Sequence, residues 1–80
     1  MENTETEAVR SAFGVVLRQK RKARGLSQEE LAHNAGIAMR YVSLLEGNKR
    51  QPTISTIYLL CKALEISMTE LMSEIELRMK

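Results

Sequence analysis

Met39, Arg40, Tyr41, Ser43 and Leu44 fall within one short window, and between them they carry the groups that can address the edges of nucleic-acid bases. Arg40 offers a planar guanidinium fork that can bond both O6 and N7 of a guanine, a pairing that discriminates by about 1–3 kcal/mol; the same long side chain can instead grip a phosphate. Met39 can meet a thymine methyl, and Ser43 can bond several base edges. Leu44 either touches a base or packs against its own fold. The Tyr41 ring can cover a turn while its hydroxyl reaches a phosphate or a base.

Presenting these side chains requires a helix with one buried face, and the flanking residues supply it. Leu26 to Glu46 reads as two short helices joined by a tight turn. Ser27 can cap the first, with Glu30 reaching back to complete a capping box. Leu31, Ala32 and Ala35 share one face of that helix, and Gly36 accepts the positive φ that stops it. Ile37 can plug the corner. Val42 and Leu45 then keep the second helix buried on one side while Met39, Arg40, Ser43 and Leu44 project away. This is a helix-turn-helix, whose second helix can enter a DNA major groove about 12 Å wide.

The rest of the 80-residue chain reads as three more helices, giving an all-α, compact five-helix architecture. The first runs from Glu5 or Thr6 to Ala23, with Val9, Ala12, Phe13, Val16 and Leu17 facing inward and Gly25 at its end. A polar connection from Gly47 to Pro52 leads to a fourth helix that Thr53 can cap, with Ile54, Ile57, Leu60, Cys61 and Leu64 recurring at three and four residues. The last begins at Ser67, with Glu70 placed for a second capping box, and carries Met68, Leu71, Met72, Ile75 and Met79 along one side. Residues 1–4 are read as a mobile acidic tail and 5–80 as one domain.

The net charge of +2 conceals an uneven distribution. Residues 1–9 hold three Glu, residues 10–50 nine Lys or Arg against three Glu, and residues 51–80 three basic against four acidic side chains. Positive charge thus surrounds the helix-turn-helix, where it favours a polyanion and predicts binding that weakens as salt rises. Arg18, Lys20, Arg21, Lys22 and Arg24 taken alone would equally suit a solvated helix face. Cys61 is the single cysteine, flanked by Leu59, Leu60, Ala63 and Leu64, so it is expected to be a buried thiol in a reducing compartment. No apolar run approaches the roughly 20 residues of a membrane span, and a cytoplasmic location is expected.

The residues Ser27-Gln28-Glu29-Glu30-Leu31-Ala32, Ala35-Gly36-Ile37, Tyr41-Val42-Ser43 and Leu45-Glu46-Gly47, with Pro52 following, closely resemble the Cro and phage-repressor type of helix-turn-helix, the XRE family, from about Val15 to Leu71. The resemblance implies a lambda-repressor-like fold, and the short length is most similar to restriction–modification controller proteins or small phage-type repressors. It also implies that Ser27 and Gln28, where helix amides add partial positive charge, and the loop Asn48, Lys49, Arg50 and Gln51 hold the sugar–phosphate backbone. Arg21 and Glu46 resemble the family's structural ion pair. Two positions depart from the pattern. Ala38 stands where relatives often carry a capping side chain worth about 0.5–2 kcal/mol. Glu65 stands where a glycine is common, so a left-handed residue or altered helix end is expected there.

A single core in so small a chain is only marginally sufficient, so a two-fold homodimer is expected through the last helix, using Met72, Ile75 and Met79 with Ile66 and Met68. The two recognition helices would then lie about 34 Å apart and read a pseudo-palindromic operator. The function expected is a sequence-specific transcription regulator whose occupancy of double-stranded DNA recruits or excludes RNA polymerase. The alternative is an antitoxin-type interaction module that also represses its own operon, distinguished by a copurifying toxin. No phosphate-cradling glycine loop, paired catalytic carboxylates or activated nucleophile suggests an enzyme. His33 is expected to be solvated. One histidine and one cysteine on different helices make a poor metal site, and neither cofactor nor small-molecule ligand is expected.

Overall fold

The computed structural model describes residues 4–80, which form five helices: α1 (Thr4–Ala23), α2 (Gln28–Ala35), α3 (Met39–Glu46), α4 (Ile54–Leu64) and α5 (Met68–Met79). Thr4, expected in a tail, opens α1; the remainder of that expected tail lies outside the described residues. Helix α1 is flanked by α3 and α5, while α2 packs on α3 and α4. The common core joins Phe13, Val16 and Leu17 of α1 to Leu31, Val42, Leu45, Leu60, Leu64 and Leu71, each excluded from solvent. Cys61 lies in the same core, where burial first, and the nearby Glu70 charge second, push its thiol pKa up.

Local chemistry sets the helix ends. Ser27 Oγ accepts from the Glu30 amide at 3.0 Å, and the Glu30 carboxylate accepts from the Ser27 amide at 2.8 Å, completing the capping box. Thr53 and Ser67 cap α4 and α5 through the amides of Thr56 and Glu70. At Ser67 the Glu70 carboxylate turns instead to Lys20 Nζ, 2.9 Å away, and Glu74 meets the same ammonium, tying α5 to α1 and holding the Lys20 pKa above its ordinary value. Gly36 at φ 74° ends α2, with its own amide and that of Ile37 bonded back to Ala32. Glu65 takes the left-handed conformation expected of it, at φ 59°, and the Ile66 amide closes back on Cys61.

Three placements differ from the sequence reading. Ile75, expected at an interface between chains, is 4% exposed and belongs to the core, because α5 lies across α1 with the Leu71 and Ile75 face inward. Val9 is 44% exposed at the rim of an open crevice with Met72 and Pro52. Ile54 is 68% exposed, since the first turn of α4 overhangs the core. Ile66 and Met68 are half-buried against the core, whereas Met72 and Met79 remain exposed.

Candidate nucleic-acid interface

Helix α3 places Met39, Arg40 and Ser43 in solvent and half-buries Tyr41 and Leu44. Arg40, Tyr41 and Leu44 line one shallow depression with Ala38 and with Arg50 of the following loop. A candidate base reader and a candidate phosphate holder therefore face one depression. Ala38 is an exposed N-cap with no side-chain bond to the first turn; the Tyr41 amide, the counterpart of the Glu30 amide that Ser27 caps in α2, bonds instead to the Ala38 carbonyl at 3.0 Å.

What holds α3 in place is a buried ionic knot. Arg21 Nε and Nη2 donate to the two carboxylate oxygens of Glu46 at 2.6 and 2.9 Å, and Arg21 Nη1 donates to the Leu26 carbonyl at 2.8 Å. Both side chains are almost wholly buried. These hydrogen bonds hold the Arg21 pKa above its already high value, so the guanidinium stays charged. Gln28 Nε2 donates one hydrogen to the same carboxylate at 3.0 Å, which fixes the amide and leaves the other hydrogen for a further acceptor. Ser27 commits its oxygen and its amide to the capping box, leaving its hydroxyl proton as the group it could give a phosphate.

The backbone of α1 approaches this end of α3 closely. A Cβ on Gly14 would stand 2.7 Å from the Leu45 carbonyl oxygen and 3.0 Å from that of Glu46. Only glycine permits the approach, a constraint invisible along α1 alone. Beyond the Gly47 cap, Asn48 adopts φ 61°, and the Lys49 amide bonds back to Leu44 at 2.9 Å. Asn48, Lys49, Arg50 and Gln51 are all exposed. Asn48 Oδ1 accepts from Arg10 Nε of α1 at 2.9 Å, a partnership that residues so distant in sequence gave no sign of. His33 is exposed, and among the described residues no group of His, Cys, Asp or Glu is placed to hold a metal ion.

Two short helices crossing through a glycine turn, an exposed outer face of the second that carries Arg40, and a cationic loop after it define a DNA-binding helix-turn-helix domain of the Cro and phage-repressor type. Residues 17–71 match the family described as Helix-turn-helix, and the chain belongs to it; this is a family of DNA-binding transcription regulators rather than of enzymes. The chain is 37% identical over 57 residues to the control protein C.SmaI of Serratia marcescens, covering 71% of this chain and 68% of that one. Its fold is similar to the restriction-modification controller protein C.AhdI from Aeromonas hydrophila, with TM-score 0.75 and 41% identity over 76% of this chain and 92% of the other. It is also similar to the controller protein C.Esp1396I, solved as a tetramer with its natural 35-base-pair operator, with TM-score 0.83 and 28% identity over 89% and 93% of the two chains. Among the described residues no helix is long and apolar enough to cross a membrane.

Proposed function

We propose that this chain is a controller-type regulator that binds a pseudo-palindromic operator as a homodimer and governs a restriction–modification operon by recruiting or excluding RNA polymerase. The observation that carries the reading is that Arg40 and Arg50 face one depression on a helix that the Arg21–Glu46–Gln28 knot ties to α1 and α2. Met39, Arg40, Tyr41, Ser43 and Leu44 would meet bases, while Ser27, Gln28 and the Asn48 to Gln51 loop would hold phosphates. The likeness to controller proteins, one of them solved on its operator, supports the regulatory assignment.

The dimer surface needs revision now that Ile75 is internal. Ile54, Tyr58 and Leu59 of α4 are exposed and surround an open, mostly apolar hollow with Met68, which was expected at the interface from sequence. This surface is the better seat for a second copy, since it groups four large apolar side chains on two adjoining helices. Met72 and Met79 form the competing surface on α5. Light scattering of Tyr58→Glu and Met72→Glu separates them: the first variant is expected to be monomeric, and a monomer produced only by the second reverses the assignment. Selection from randomised duplexes should yield a symmetric site with half-sites about 10–10.5 base pairs apart or a multiple of that. Enrichment of a lone asymmetric half-site would overturn the homodimeric reading.

A further inference from the structure

We propose that Arg10 is a positioning residue for the DNA-holding loop: by donating to the side-chain oxygen Oδ1 of Asn48, it sets the Asn48 amide nitrogen Nδ2 as the donor to a phosphate. The inference rests on the loop contacting DNA as described above. Asn48 lies just past α3 at φ 61°, a region that glycine occupies with the least strain and asparagine tolerates better than most residues. The backbone suits glycine or asparagine, and what asparagine adds over glycine is a side chain with a defined contact.

That side chain has an acceptor at one end and a two-hydrogen donor at the other, and the acceptor is engaged by Arg10 Nε at 2.9 Å. With Oδ1 turned towards α1, Nδ2 is turned away from it. Without the bond the carboxamide could rotate and offer its oxygen as readily as its nitrogen, and an oxygen facing a phosphate repels it. Arg10 is well placed to impose this choice. It sits one helical turn before Gly14, where α1 meets the end of α3 most closely, and it walls a crevice with Gln51 and Pro52 at the other end of the loop. One half-buried side chain thus bonds one end of the segment and lines the crevice beside the other.

Glutamine is the informative replacement, because its Nε2 falls at the same distance along the side chain as arginine Nε but carries no charge. The test measures binding of the full chain to a fluorescent duplex of arbitrary sequence across a salt series. Arg10→Ala and Asn48→Gly, the latter keeping the left-handed backbone while removing the side chain, are each expected to weaken binding about tenfold, the scale of a hydrogen bond to a charged group. The double variant should lose no more than either single one, and Arg10→Gln should restore most of the affinity. The salt slope should stay unchanged, because the donor lost is neutral. Additive losses, or an Arg10→Gln variant as weak as Arg10→Ala with a slope reduced by about 0.9, would overturn the proposal and make Arg10 a direct phosphate contact. Lys49→Ala and Arg50→Ala on the same duplex check the underlying reading: if they change neither affinity nor slope, the loop is not at the DNA and both inferences fall.

Discussion

Replacing Gly14 by alanine sets two effects of opposite sign against each other. Gly14 lies in the interior of a 20-residue helix, where alanine is intrinsically favoured over glycine by about 1 kcal/mol. The added methyl would stand 2.7 Å from the Leu45 oxygen, and ordinary contact begins at 3.4 Å, so that carbonyl would have to retreat by 0.7 Å. Retreat is opposed by the next residue, since Glu46 is bonded twice to Arg21 on the same α1 that carries the methyl. Overpacking of this kind costs about 1–3 kcal/mol, so a net loss of about 1 kcal/mol is expected. For a domain of this size that lowers Tm by about 4–8 °C, readable in thermal denaturation followed by circular dichroism. Ser11→Ala, at an exposed position of the same helix, supplies the propensity effect without the clash and should hold or raise Tm. A Gly14→Ala protein that melts at or above the wild-type temperature would refute the close approach of α1 and α3.

Glu46→Ala leaves Arg21 buried with only the Leu26 carbonyl and frees Gln28, so a loss of about 3–5 kcal/mol is expected in a denaturant titration, with Arg21→Ala and the double variant showing strongly non-additive losses. Arg40→Ala should relax preference at one or two symmetric operator positions, whereas Lys49→Ala or Arg50→Ala should weaken binding to every sequence and flatten the salt slope; equal losses on all sequences for all three would abolish the division between reading and holding. The buried Cys61 thiol should resist a disulfide reagent until the chain unfolds. Because its folded pKa lies above the ordinary 9.0, the stability linked to it is full below that value and is lost as pH rises through the folded one. Lys20, raised by Glu74 and Glu70, acts with the same sign above 10.5, so unfolding free energy should fall on the alkaline side, and less so in Cys61→Ala.

The features legible in the sequence were those whose causes lie within a helical turn. Ser27 with Glu30, Gly36, and the spacing of Val42 and Leu45 each carry their reason locally, so the helix-turn-helix and the outward face of α3 could be read directly. Where the cause is another helix, the sequence carries no local sign of it. Ser67 and Glu70 spell the same capping box as Ser27 and Glu30, yet Glu70 answers to Lys20, which is fifty positions away. Met72, Ile75 and Met79 form one stripe in sequence, and only the crossing of α5 over α1 buries Ile75 and leaves the methionines outside. Ile54 and Val9 fit their stripes but sit on turns that reach past the core.

This division bears on how the candidate site works. Met39, Arg40 and Ser43, proposed to meet bases, are exposed, so α3 could exchange them with little effect on the fold. Their aim is set elsewhere, by contacts that converge on α1. Arg21 fixes Glu46 and, through it, Gln28; Gly14 lets the α3 carbonyls approach; Arg10 meets Asn48 beyond the helix end. On the proposed assignment, α1 would be the frame against which the reading helix and the holding loop are registered. Changes on α1 that touch no DNA should accordingly alter affinity for all sequences together, while changes on the outer face of α3 alter which sequence is preferred. Operator selection on Arg10→Ala and Arg40→Ala, compared with wild type, separates the two: the first should return the same consensus at lower affinity, the second a relaxed one.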